Sequence, residues 1–134
     1  SCTLSLLSMK RAAARSKDAE TIGILSNRYG WLADVYRARG DLDRAWRLRE
    51  EQERIVAGLL EGDKDNLDIG ERWLTNQFSM AELEMERGEK HSARERLRAA
   101  LLLVERLTKA NPTSKRLASH RERVQRDLAL VENS

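Results

Sequence analysis

The chain has 134 residues, 25 basic and 22 acidic side chains, a formal charge of +3, and 40% hydrophobic against 35% charged residues. That is the length of one domain, apolar enough to order itself, and its longest apolar run, Ala99 to Val104, is far short of the roughly 20 residues a membrane span needs. A lone cysteine, Cys2, excludes an internal disulfide, and its place near the chain end argues against a nucleophile held in a rigid site.

Residues 40–88 carry seven basic and thirteen acidic side chains, while both flanking segments are basic. Helix faces that pair with one another suit this alternation better than one continuous strip for nucleic acid does. The opening SCTLSLLSMKRAAARS puts apolar residues before basic ones, the reverse of a secretory signal, and the expectation is a cytoplasmic piece excised from a longer protein.

Taken in chain order, Leu4, Leu7 and Arg11 fall at helical spacing, so residues 1–17 read as a partial helix of a preceding unit. Asp18 is placed to cap a helix from Ala19, in which Ile22, Leu25, Tyr29, Leu32, Ala33 and Tyr36 share a face. A second stripe of Ile24, Trp31, Val35 and Ala38 lies beside it, which predicts an interior helix with neighbours on both sides. Gly40 ends that helix in the left-handed conformation and Asp41 caps the next, whose Leu42, Ala45, Trp46, Ile55, Val56, Leu59 and Leu60 continue to about Gly62. Residues 19–61 therefore form a first helical hairpin.

Asn66 is placed to cap a third helix with Leu67, Leu74, Phe78, Ala81 and Met85 on one stripe and Trp73, Met80 and Leu83 on another. Gly88 breaks it, and Ala93, Leu97, Ala100, Leu101, Val104 and Leu107 mark the partner helix of a second hairpin, 66–110. The NPTS stretch at Asn111 to Ser114 stops the chain, and a capping helix over 113–132 carries Leu117, Val124, Leu128 and Val131.

Gly40 and Gly88 stand at matching breaks, and the offset between them also pairs Ala33 with Ala81, Val35 with Leu83, Ala45 with Ala93 and Val56 with Val104. The segment WLADVYRARGDLDRAW resembles a tetratricopeptide-type repeat in Ala33, Tyr36, Gly40 and Ala45, and Ala81, Gly88, Ala93, Leu97, Ala100 and Pro112 resemble a second copy. The spacing exceeds the roughly 34 residues of the standard repeat. Glu84 also stands in place of Tyr36, and Arg49 in place of Leu97. The resemblance implies an all-α, right-handed stack of antiparallel helical hairpins, five or six helices in all. It further implies a protein-interaction or scaffolding module of a larger, bacterial protein, with aromatic side chains wedged between hairpins.

On that resemblance the inner helices line a concave face. The candidate partner-binding residues are Asn27, Trp31, Asp34 and Arg37 from the first hairpin, and Thr75, Phe78, Glu82 and Met85 from the second. Trp31 or Phe78 would anchor a peptide or helix and Arg37 would supply the charge, unless the two aromatics pack as core. Asp34 and Glu82 occupy the surface where a clamp for a terminal carboxylate would be basic, which disfavours such a ligand. The stretch GDKDNLDIGE lacks the turn glycine and closing glutamate of a calcium loop, having Asp68 and Leu74 there.

His91 and His120 read as surface histidines without metal-ligand spacing, and no nucleophile elbow or phosphate loop occurs, so neither a cofactor nor catalysis is expected. Two other readings remain. Arg94, Arg98, Arg116, Arg123 and Arg126 could face nucleic acid, although Glu95, Glu105, Glu122 and Asp127 are interspersed, and the chain could self-associate as a homo-oligomer.

Overall fold

The computed structural model describes the backbone from Cys2 to Ser134 and side-chain surroundings from Glu20 onward. Five helices follow one another: α1 (Cys2–Ala38), α2 (Leu42–Gly62), α3 (Leu67–Glu86), α4 (Lys90–Ala110) and α5 (Lys115–Glu132). The described residues contain no strand, and no helix among them is long and apolar enough to cross a membrane.

The helix ends follow local chemistry. The side chains of Asp41, Asn66 and Ser114 accept from the backbone N–H three positions on, at 3.2, 3.1 and 3.3 Å, satisfying donors that the first helical turn leaves free. Gly40 and Gly88 have φ of 81° and 77°, the left-handed region where a Cβ would be strained. Their corners carry the same bonds, position for position. Gly40 and Gly88 donate to the carbonyls of Arg37 and Met85, and Asp41 and Glu89 donate to those of Tyr36 and Glu84.

Consecutive helices pack against each other and run antiparallel. Ser26 and Asp34 of α1 meet Gln52 and Arg49 of α2 in reversed order, and Asp43 and Glu53 of α2 likewise meet Arg87 and Gln77 of α3. Alternate helices are bridged in parallel, α1 to α3 by Arg72 reaching Asn27 and Arg37 reaching Glu82, and α3 to α5 by Glu71 with His120 and Glu82 with Arg123. Helices α1, α3 and α5 thus form one layer and α2 and α4 the other. Small Ala33, Ala45, Ala81, Ala93 and Ala100 are all buried, which lets the helices approach closely, while Leu74, Phe78, Leu97, Val104 and Leu107 fill the core from α3 and α4.

Three expectations are corrected here. Helix α1 is continuous through Asp18, so the segment before it is not a separate helix; propensity is favourable on both sides of that position, and no Gly or Pro lies between Cys2 and Ile22. The cap expected of the Asp18 side chain lies outside the described side chains. Helix α1 is also not interior, for Ile24, Leu25, Trp31 and Leu32 are exposed, and among the described residues only one of its sides is covered. His120 is not a plain surface histidine: it is half-buried, stacked at 6.2 Å on the ring of Phe78, with Nε2 3.2 Å from Glu71.

Candidate partner-binding faces on the α1, α3 and α5 layer

The eight candidate residues do not converge on one site. Asn27 and Thr75 line a polar cleft of about 380 Å³ between α1, α3 and α5, shared with Asp68, Arg72 and Arg116. Arg72 already donates to Asn27 Oδ1 at 2.8 Å and to the carbonyl of Gly23. Arg37, Phe78, Glu82 and Met85 line a second cleft of about 310 Å³, which α5 closes with Asp127 and Leu130. Trp31 and Asp34 line neither of these.

Phe78, offered as a groove anchor, is core. Its ring is 1% exposed, and the guanidinium of Arg123 lies 4.3 Å from its centroid. The reason is position: Phe78 belongs to the core cluster with Leu74 and Ala81 of α3 and Leu97 of α4, and His120 and Arg123 of α5 lie against its ring.

The charges of the face are spent internally. Arg37 donates to Glu82 at 2.8 Å and through Nε to Glu86 at 2.9 Å, and those hydrogen bonds, that to Glu86 foremost, raise its pKa above the ordinary value. Glu82 also accepts from Arg123 at 3.2 Å, and Arg123 in turn lies near Asp127, whose carboxyl is raised by burial. Asp34 is bound to Arg49 at 2.7 Å. What remains of this ladder is a set of ties between helices, half open to water, rather than free groups awaiting a ligand.

Trp31 is the exception, 67% exposed and flanked by Ile24, Leu25 and Leu32 on the side of α1 that faces away from α2. An apolar cluster of this kind on one helix face is the usual mark of an interaction surface.

Beneath the layer lies a buried polar network that periodicity did not anticipate. Arg49 donates to Gln52 Oε1 at 2.8 Å, and Gln52 donates to the carbonyl of Ser26 at 2.9 Å. Asn76 donates to the carbonyl of Arg49 and to Gln52, both at 2.9 Å. Gln77 donates to Glu53 at 2.6 Å and accepts from Arg96 at 2.8 Å, and Arg96 reaches Glu53 at 2.7 Å and Glu84 at 2.6 Å. Burial raises the Glu84 carboxyl above the usual carboxylate range, against the opposing pull of Arg96. The network ties α1, α2, α3 and α4 together, and its groups find partners in one another. Part of the signal was in the sequence, in Arg49 and Glu84, where the matched positions of the other hairpin hold Leu97 and Tyr36.

Gly30 explains how the polar heads fit. A Cβ there would lie 2.8 Å from Gln52 Nε2 and 3.1 Å from Arg49 Nη1. The first hairpin thus has Gly30, Arg49 and Gln52 where the second, at equivalent positions, has Phe78, Leu97 and Ala100. A large residue on the inner helix with small apolar partners is exchanged for a glycine with long polar ones.

A third cleft, of about 460 Å³, lies on the opposite layer between α2 and α4, around Leu60, Trp73, Leu102 and Arg106. None of the candidate residues lines it. Of the arginines considered for nucleic acid, Arg98, Arg116 and Arg123 are ion-paired with carboxylates, and Arg94 contacts His91. Comparison with known family models, with curated proteins and with solved structures finds no match to this chain.

Proposed function

We propose that this chain is a protein-interaction module, a right-handed stack of tetratricopeptide-like hairpins that binds a partner helix or peptide on the α1, α3 and α5 layer, with Trp31 as anchor. The observation that carries the reading is the exposed cluster of Ile24, Leu25, Trp31 and Leu32 on α1, in a chain whose other large apolar residues are mostly covered. The matched glycine corners and small buried alanines support the hairpin-stack reading. A nucleic-acid role is less favoured, because most of the arginines it would need already hold carboxylates and no aromatic side chains are set among them to stack bases.

The test is affinity enrichment with the wild-type chain, Trp31→Ala and, on the opposite layer, exposed Ser92→Ala side by side, with helicity followed by circular dichroism. A protein retained by the wild type and Ser92→Ala but lost from Trp31→Ala, at unchanged helicity, is the expected result. Loss of helicity with Trp31→Ala, or partners indifferent to it, would remove the anchor role.

A further inference from the structure

The bare face of α1 has two counterparts in the same molecule. Shifting along the chain by the offset from Gly40 to Gly88 takes Arg28, Leu32 and Val35 to Asn76, Met80 and Leu83 of α3, and a second equal shift takes them to Val124, Leu128 and Val131 of α5. On α3 those three residues are buried; Asn76 bonds to Arg49 and Gln52 of α2, which lies across this face. On α5, Val124 and Val131 are buried and Leu128 packs against the same core, with α4 as the covering helix. On α1, Arg28 and Leu32 are exposed, Val35 is half-buried, and no described helix lies over them. The opposite end of the stack differs. The face of α5 that looks outward carries exposed Ala118, Glu122, Gln125, Arg126 and Ala129, a surface that water solvates.

The chemistry of the bare face is specific. The place held by uncharged, buried Asn76 on α3 and Val124 on α5 is taken by Arg28 on α1, and Arg39 follows on the same stripe. Among the described residues neither guanidinium makes an ion pair, whereas Arg37, Arg49, Arg96 and Arg123 each hold a carboxylate. Covering an arginine by an apolar helix would strand a charge, so the complement must bring an anion to it. The covering helix does not arrive by the route α2 takes to α3. There, the short connection Asp63–Asn66 turns the chain just before Leu67, but the position equivalent to Leu67 one copy earlier is Ala19, where α1 runs on as helix toward Cys2. A second copy would present the same stripe, which carries Arg28 and Arg39 but no carboxylate to set against them.

We propose that this face seats one helix of a partner protein, an amphipathic helix antiparallel to α1 that sets a carboxylate opposite Arg28 and apolar residues over Leu25, Trp31, Leu32 and Val35. The proposal rests on the interaction reading above and names its partner by chemistry and direction.

The probe is a pair of hydrocarbon-stapled peptides with the sequence of residues 42–62, stapled on the solvent side and verified as helical, one carrying Gln52→Glu and the other Gln52→Lys. Residue 52 faces Asn76 on α3 and hence Arg28 on α1. Fluorescence anisotropy with the full chain is expected to give binding at least tenfold tighter for the Glu peptide. Arg28→Glu in the protein should invert that order, and Trp31→Asp should weaken both. Equal affinities, or no binding of either, overturn the acidic-helix proposal. If neither peptide binds but sedimentation shows a dimer that Trp31→Asp dissolves, a second copy covers the face and the interaction reading stands without this partner. A monomer that binds neither, with no Trp31-dependent partner in the enrichment experiment, removes both.

Discussion

Glu84 is held where burial and a neighbouring arginine pull its carboxyl in opposite directions. Arg96 donates to it at 2.6 Å, yet desolvation dominates and its pKa lies above the ordinary carboxylate value. Between the ordinary value and the raised one, the folded state binds a proton that the unfolded chain does not. This group's contribution to stability therefore increases as pH falls through the folded value, and levels off below the unfolded one. Glu84→Gln keeps an acceptor for Arg96 without the charge. The melting temperature of Glu84→Gln relative to wild type should be highest near neutral pH, with the difference shrinking by about pH 4. A pH-independent difference in thermal scans would show that the folded state does not raise this carboxyl.

At the scale of elements, the two hairpins solve one packing problem with different volumes. Gly30, Arg49 and Gln52 fill the first with a polar network, and Phe78, Leu97 and Ala100 fill the second with hydrocarbon. Arg49→Leu alone removes the donor to Gln52 and Asp34 and leaves a void beside Gly30, and should cost about 3 kcal/mol. The triple change Gly30→Phe, Arg49→Leu, Gln52→Ala installs the second hairpin's solution and should restore most of that loss. Chemical denaturation of the single, double and triple variants measures the coupling. A triple variant no more stable than Arg49→Leu would show that the two sites are not equivalent. The outcome also bears on sequence reading: a period count treats Arg49 as a blemish on an apolar stripe, because periodicity sees one helix at a time and not the glycine opposite.

Across the whole molecule, the layer of α1, α3 and α5 is tied by arginine–carboxylate bridges that are part-exposed, as in Arg37 with Glu82 and Glu86. Such pairs contribute little, so Arg37→Met should lower stability by less than about 1 kcal/mol, with the difference falling further in high salt. A larger loss by denaturant titration would mean that the ladder, and not the buried network beneath it, sets how the hairpins stack. The candidate site shows the same division. Trp31 stands exposed, while Phe78 is core, and Arg37 and Glu82 satisfy each other.

The sequence by itself determined the elements and their corners. Glycines at Gly40 and Gly88, capping side chains at Asp41 and Asn66, and stripes of apolar residues act within a few positions of chain, where spacing and backbone conformation are sufficient causes. It determined as well that alternating charges would pair between helices rather than form one strip. Only the tertiary structure decided which apolar face each helix buries, that α1 runs unbroken through Asp18, that Arg49, Gln52 and Asn76 satisfy one another out of water, and that Arg96 holds Glu84. Those outcomes depend on what lies across from a residue on another helix, far along the chain, and a periodic pattern carries the phase of a helix but not the identity of its neighbour.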